Sequence, residues 1–462
     1  MFKYARLAAA LLSLIAALTS APAQAAPIFV VDSPADAVDA LPGDGVCAAA
    51  AGACTLRAAI MEANQTTGAV IQLPAGTYAL SLPRTAEGLE INGDLNIQQS
   101  MTINGAGAAT TIIEGMGAPN PDRVLSVGGG ATVTISGVTL RNGTAASGVG
   151  GGLRNAGALT LLNVVITGNA GGLTGGGAAN VAGGHLTLDH SLVNGNDSNE
   201  PGIGGAGLHN QGVLTVTHSA LSDNSAAGHG GGLANLGQAT VIASTVNNNS
   251  SDLNGAGLYN AAGATLVIVN STLSGNTAND GDGGGLWNAG AARLLNVTVA
   301  MNRAGAGQSG GGLFQSAVGS LSLRNTLLGL NAHLAGTPGA PQPDDCAGTL
   351  ASEGYNLITT SSGCALDGGS HDQMGVATDL GDLADNGGPT LTHALPAGSP
   401  ALDGGDPAGC VDAVGSPLLT DQRGSARPLG VACDIGAFEA AADGGPFPTG
   451  PKLYLPLVMR SP

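Results

Sequence analysis

The chain has 462 residues, 78 of them glycine, 43% hydrophobic and 2% aromatic, with a formal charge of −18. This composition excludes a nucleic-acid surface, which needs clustered Lys and Arg, and disfavours an anionic lipid surface. The small aromatic share means that any core is built from aliphatic and small side chains, because Val, Ile and Leu alternate too regularly for a disordered glycine-rich chain.

In chain order, Lys3 and Arg6, the apolar run Leu7 to Leu18 and Ala23-Gln24-Ala25 read as a secretory leader over residues 1–25. Two of the 14 basic residues lie in that leader, which leaves 12 against 32 acidic ones, and Lys452 is then the sole lysine. No later run is long and apolar enough to span a bilayer. Six cysteines suit an oxidising compartment, and proximity favours Cys47 with Cys54, Cys346 with Cys364 and Cys410 with Cys433 among the 15 possible pairings. Their spacing is not that of a zinc finger.

Residues 26–100 predict an N-terminal cap and a first coil. Leu56, Ala59, Ile60 and Ala63 fall at helical spacing within 54–64, and Val70 to Tyr78 begins the coil. Residues 101–335 carry a repeat. Gly-Leu-x-Asn recurs at Leu153, Leu208, Leu233, Leu258 and Leu286, more weakly at Ala178, and ends with Leu313. Between copies run alternating stretches ending at Asn169, Asn196, Asn224, Asn249, Asn276, Asn302 and Asn331. Period-two alternation in short runs broken by Gly and Asn predicts an all-β fold, a right-handed parallel β-helix whose equivalent residues stack from coil to coil. The repeated asparagines are then ladder residues that hold turns. Residues 336–440 are richer in Pro, Asp and Cys and predict an irregular C-terminal cover; 441–462 form a short apolar tail, either a sorting segment or a last strand.

Three resemblances follow from motifs. Asp44-Gly45-Val46-Cys47 with Cys54-Thr55-Leu56-Arg57-Ala58-Ala59 resembles the CSLREA domain, departing from it at Ala58, where that family has Glu. Ser399 to Asp406, Asp421-Gln422-Arg423-Gly424, Arg427-Pro428 and Cys433 to Glu439 resemble the choice-of-anchor Q domain. The central repeats are similar to those of polymorphic outer-membrane proteins and of pectin-lyase-like β-helices. These resemblances imply a secreted or cell-surface protein and no defined reaction.

Candidate chemistry is sparse. Gly228-His229-Gly230 matches a polygalacturonase motif, but no Arg-x-Lys accompanies it. Asp280, Asp282, Arg293 and Arg324 form the strongest lyase constellation, with calcium as its cofactor if such chemistry exists; otherwise no cofactor is expected. His190 and His218 share one repeat position, where other coils have Asn163, Ala243, Asn270, Asn296 and Asn325, and read as ladder groups and not as a metal site. Tyr259, Trp287 and Phe314 each follow the buried Leu of their repeat and predict an outward aromatic column suited to sugar rings. The expectation is a monomeric, non-catalytic, adhesin-like binder of polysaccharide or cell-surface glycan. The alternatives are a polysaccharide lyase or hydrolase on the same fold, and a structural stalk.

Overall fold

The computed structural model describes residues 26–83, 92–117, 121–146, 148–335 and 340–441. The leader and the tail beyond 441 lie outside the described residues.

From Leu125 to His333 each coil has four short strands. In one of them these are Leu258–Asn260, Thr265–Val269, Thr272–Ser274 and Thr277–Ala278. The strands of these coils pair in parallel with their counterparts one coil away, so Leu208, Leu233, Leu258, Leu286 and Leu313 form one column. All five are at most 1% exposed. The aliphatic interior runs unbroken from Phe29 to Ile358. The result is a parallel β-solenoid.

Two neutral amide ladders line the turns. One passes from Asn155 through Asn180, Asn210, Asn235, Asn260 and Asn288 to Gln315, each side-chain amide donating to the next carbonyl at 2.6–2.8 Å. The other runs from Asn169 through Asn196, Asn224, Asn249, Asn276, Asn302 and Asn331 to Asp345 at 2.8–3.0 Å. A serine column supplements them, with the hydroxyls of Ser191, Ser219, Ser244 and Ser271 accepting from the backbone of the preceding coil. Buried polar groups are tolerated here because each is satisfied by its neighbour in the stack.

At the N-terminal end, helix α1 (Leu56–Ala63) starts at Thr55, whose hydroxyl accepts from the Ala58 amide. Leu56, Ala59, Ile60 and Ala63 join the interior. Arg57 is buried in a 2.6 Å ion pair with Asp36 and donates to the carbonyls of Gly93 and Asp94. Ala58 is fully buried, so the site where the CSLREA domain carries Glu has no exposure for one.

One feature differs from the sequence reading. The coils do not stop at Asn331. Cys346–Ser352 adds another rung, Cys364–Gly368 pairs on it, and Leu357–Ile358 and Gln373–Met374 extend the third-strand sheet. The repeat is hidden there because the loop before Cys346 and the loss of the Asn pattern disguise the period. The remaining C-terminal segment is the irregular, disulfide-bearing cover, and its position is lateral. It lies along the side of the solenoid, on the third strands and their preceding turns. Thr245 donates to the Leu391 carbonyl, Asn270 to that of Thr420 and Asn296 to that of Val411, while Thr272 donates to the Gln422 side chain. Disulfides join the three cysteine pairs favoured by proximity.

Candidate functional site

The middle residue of the first strand forms a column on the outer side of the coil: Ala234, Tyr259, Trp287, Phe314 and Ala347 in successive coils. Strand alternation places it outside, since the flanking Leu and Asn are buried and point inward. The rings stack face to face. Tyr259 and Trp287 have centroids 4.6 Å apart and planes within 3°. Trp287 and Phe314 are parallel within 2° but 6.3 Å apart, so they are laterally displaced.

The rings are thus less exposed than an outward column suggests. Tyr259 is only 9% exposed, and Trp287 and Phe314 are partly buried. Their faces are covered by one another, so only ring edges, the displaced part of Trp287 and the end of the stack remain. Burial raises the Tyr259 phenol above its ordinary pKa.

A fourth ring joins from a loop. The small Ala234 leaves room below Tyr259, and His229 stacks there at 4.6 Å. Its Nδ1 accepts from the Asn254 amide, and burial lowers its pKa against a smaller raising effect of the Asn254 backbone. His229 is therefore a stacking residue. Column register could not reveal it, because it lies in a glycine-rich turn outside the strands. At the other end, no ring among the described residues stacks on the Phe314 face turned away from Trp287, where the next column residue is Ala347.

Beside the stack, Asp282 accepts from the Ser309 amide, and its own amide donates to the Asn254 side chain. Burial first, and then repulsion from Asp344, raise its pKa against the Ser309 contact. Asp280 is exposed in the same loop.

The lyase constellation is not assembled. Arg293 pairs with Glu353 and donates to the Ala413 carbonyl at 2.7 Å. Arg324 pairs with Asp406 at 2.7 Å. Neither arginine shares a partner with Asp280 or Asp282. The Glu353 contact raises the Arg293 pKa despite partial burial, the wrong direction for a proton-abstracting base. Both arginines instead tie the second strands to the C-terminal part of the chain.

Below the stack in the same column, His209 is 4% exposed. Desolvation lowers its pKa to about 4, opposed by the backbone of Ile203 and Gly204. That backbone does not reach hydrogen-bond alignment, and neither ring nitrogen has a partner.

Fold and site together define a parallel β-helix protein of pectin-lyase-like architecture with an aromatic stack on one side. A crystal structure of pectate lyase Pel9A is similar, with a TM-score of 0.52 and 15% identity over 89% of this chain and 96% of that one. At that identity the likeness shows the fold alone. No family model matches the chain, and no curated protein matches it, so the end-domain resemblances rest on their motifs.

Proposed function

We propose that this is a non-catalytic, extracytoplasmic β-helix protein that binds a neutral polysaccharide at the aromatic stack. The observation that carries this reading is the run His229, Tyr259, Trp287 and Phe314, which gathers scarce aromatic rings in adjacent coils and ends in a ring face over the small Ala347. A pyranose can extend such a stack by one rung, with its C–H face on Phe314 and its neighbours along the edge of Trp287. The −18 charge disfavours a polyuronate, since the described arginines near the second strands are already neutralised by carboxylates. The disulfides, the leader motif and the resemblance to the CSLREA and choice-of-anchor Q domains support placement outside the cytoplasm, at the cell surface.

Affinity electrophoresis of the full chain tests this, using β-glucan, mannan and xylan against polygalacturonate and alginate. The reading expects retardation by a neutral polymer and at least tenfold weaker retardation of Phe314→Ala and Trp287→Ala. It also expects no unsaturated uronate release with calcium. Equal retardation of the variants, no retardation by any polymer, or uronate release would overturn it.

A further inference from the structure

A second cluster sits at the turn between the second and third strands. One residue per coil there adopts a left-handed backbone: Asn163, His190, His218, Ala243, Asn270, Asn296 and Asn325, with φ from 47° to 56°. Among residues with a side chain asparagine suits this conformation best, and where the column is Asn it can pair along the stack, as Asn325 does with Asn296 at 3.0 Å. Histidine occupies it twice, in adjacent coils.

The residue just before this turn forms its own column: Ser136, Leu162, Asp189, Thr217, Ile242, Val269, Leu295 and Arg324. It holds one carboxylate, and that carboxylate falls beside the two histidines. Asp189 Oδ1 lies 3.0 Å from His190 Nδ1 and 3.2 Å from His218 Nδ1. The imidazoles stack at 4.8 Å. Thr217 donates its hydroxyl to the same Oδ1 at 3.0 Å. Burial pushes the Asp189 pKa up, but the bonds from His218 and Thr217 and the imidazole charges outweigh it and hold it below the ordinary value.

We propose that Asp189, His190 and His218 form a site for a divalent transition ion of the zinc class, joining two successive coils. Ligands at about 2.0–2.2 Å from an ion, with angles near 90–110°, lie about 2.9–3.4 Å apart. Both N···O separations fall in that range, and all three ligand atoms lie within 4.8 Å of one another. The remaining N···N edge has to shorten by rotation of the imidazoles when an ion binds. The side chains are 30%, 43% and 34% exposed for His190, His218 and Asp189, which leaves the rings free to turn and coordination positions open to water. In the ion-free form each Nδ1 faces the carboxylate. When the ion binds, the Nδ1 lone pairs turn to it and each neutral ring carries its proton on Nε2. Thr217 then orients the carboxylate from behind. Two imidazoles and one carboxylate select zinc, cobalt, nickel or copper over calcium and magnesium, which take oxygen ligands. This site is independent of the aromatic stack.

The neighbouring coils supply fold-compatible controls, since Asn and Thr already occupy these columns. Isothermal titration of tag-free, chelator-treated full chain with zinc chloride should show one ion per chain. His190→Asn and His218→Asn should each weaken it at least tenfold, and the double variant should abolish it. Cobalt should develop visible absorption with the parent chain and not with the double variant. Zinc should raise the melting temperature of the parent and not that of the double variant. No heat with zinc, which would leave the cluster a hydrogen-bonded pair only, or unchanged binding by the double variant, which would place the ion elsewhere, would each overturn the assignment.

Discussion

The coils and the lateral C-terminal segment bury their polar groups in opposite ways. In the central coils, two neutral amides repeat every turn, and each asparagine inside a ladder is donor to one neighbour and acceptor for another. Among the described residues of the segment beyond Met374, the only strands form a two-residue pair, Leu383–Ala384 with Thr392–His393. Charges replace the ladders there. Arg423 pairs with Asp421 at 2.6 Å and lies 3.6 Å from the centre of the Phe438 ring. Arg427 pairs with Glu439 at 2.8 Å, both fully buried. The contrast follows from geometry. A stacked central coil finds its own copy one rung away, so one amide per bend serves in coil after coil. An aperiodic segment has no copy and needs specific fork-shaped partners for irregular carbonyls.

The largest effect that could break this comparison is Arg427→Ala. It leaves Glu439 buried without its partner and removes the bonds to Asn270 and the Gly436 carbonyl. We expect a loss of about 3–5 kcal/mol, with early proteolysis of the lateral segment while the coils stay resistant. Cooperative loss of both would show that the two regions are one folding unit. Next is Asn249→Ala, which removes donations to Leu221 and Asn276 and takes the acceptor from the Asn224 backbone N–H and from one of its two side-chain donations. We expect about 2–3 kcal/mol in urea unfolding.

A pH effect is smaller over one unit. The unfolded chain protonates His209 near its ordinary value of about 6.5, whereas the buried ring resists until about 4. Stability should therefore fall by about 1.4 kcal/mol at most between pH 6.5 and 5.5 from this group. Asp434, pushed up to about 6 by burial, acts in the opposite direction. The readout is thus the difference between the parent and His209→Ala, a change supported by Ala179 and Ala234 on either side in the column. An identical slope in both proteins would refute the buried neutral ring. The smallest effect belongs to Arg324→Ala at the rim, where a partly exposed pair with Asp406 is worth about 0–1 kcal/mol.

The solenoid was legible because its signal is periodic: Leu208 and its equivalents, the two asparagine series and the helix starting at Leu56 are all visible as spacing. The aromatic column was legible for the same reason, but its loss of free ring faces was not, since stacking depends on side-chain rotamers. His229 was hidden in a loop. The partners of Arg293, Glu353 and Ala413, were not legible because they lie far along the chain. The Asp189 cluster was half visible: the two histidines share a column, but the carboxylate belongs to the column beside it. The motifs around Arg423 and Arg427 read as domain signatures, and in the fold those arginines hold buried carboxylates and carbonyls.

The chain has a single tryptophan, Trp287, so its fluorescence reports on the stack with no background from other sites. Titration of the full chain with the neutral polysaccharide that retards it in gels should shift the Trp287 emission and shield it from acrylamide, with the same midpoint as binding. Saturation of binding with unchanged emission and unchanged quenching would contradict the account and place the polysaccharide elsewhere on the molecule.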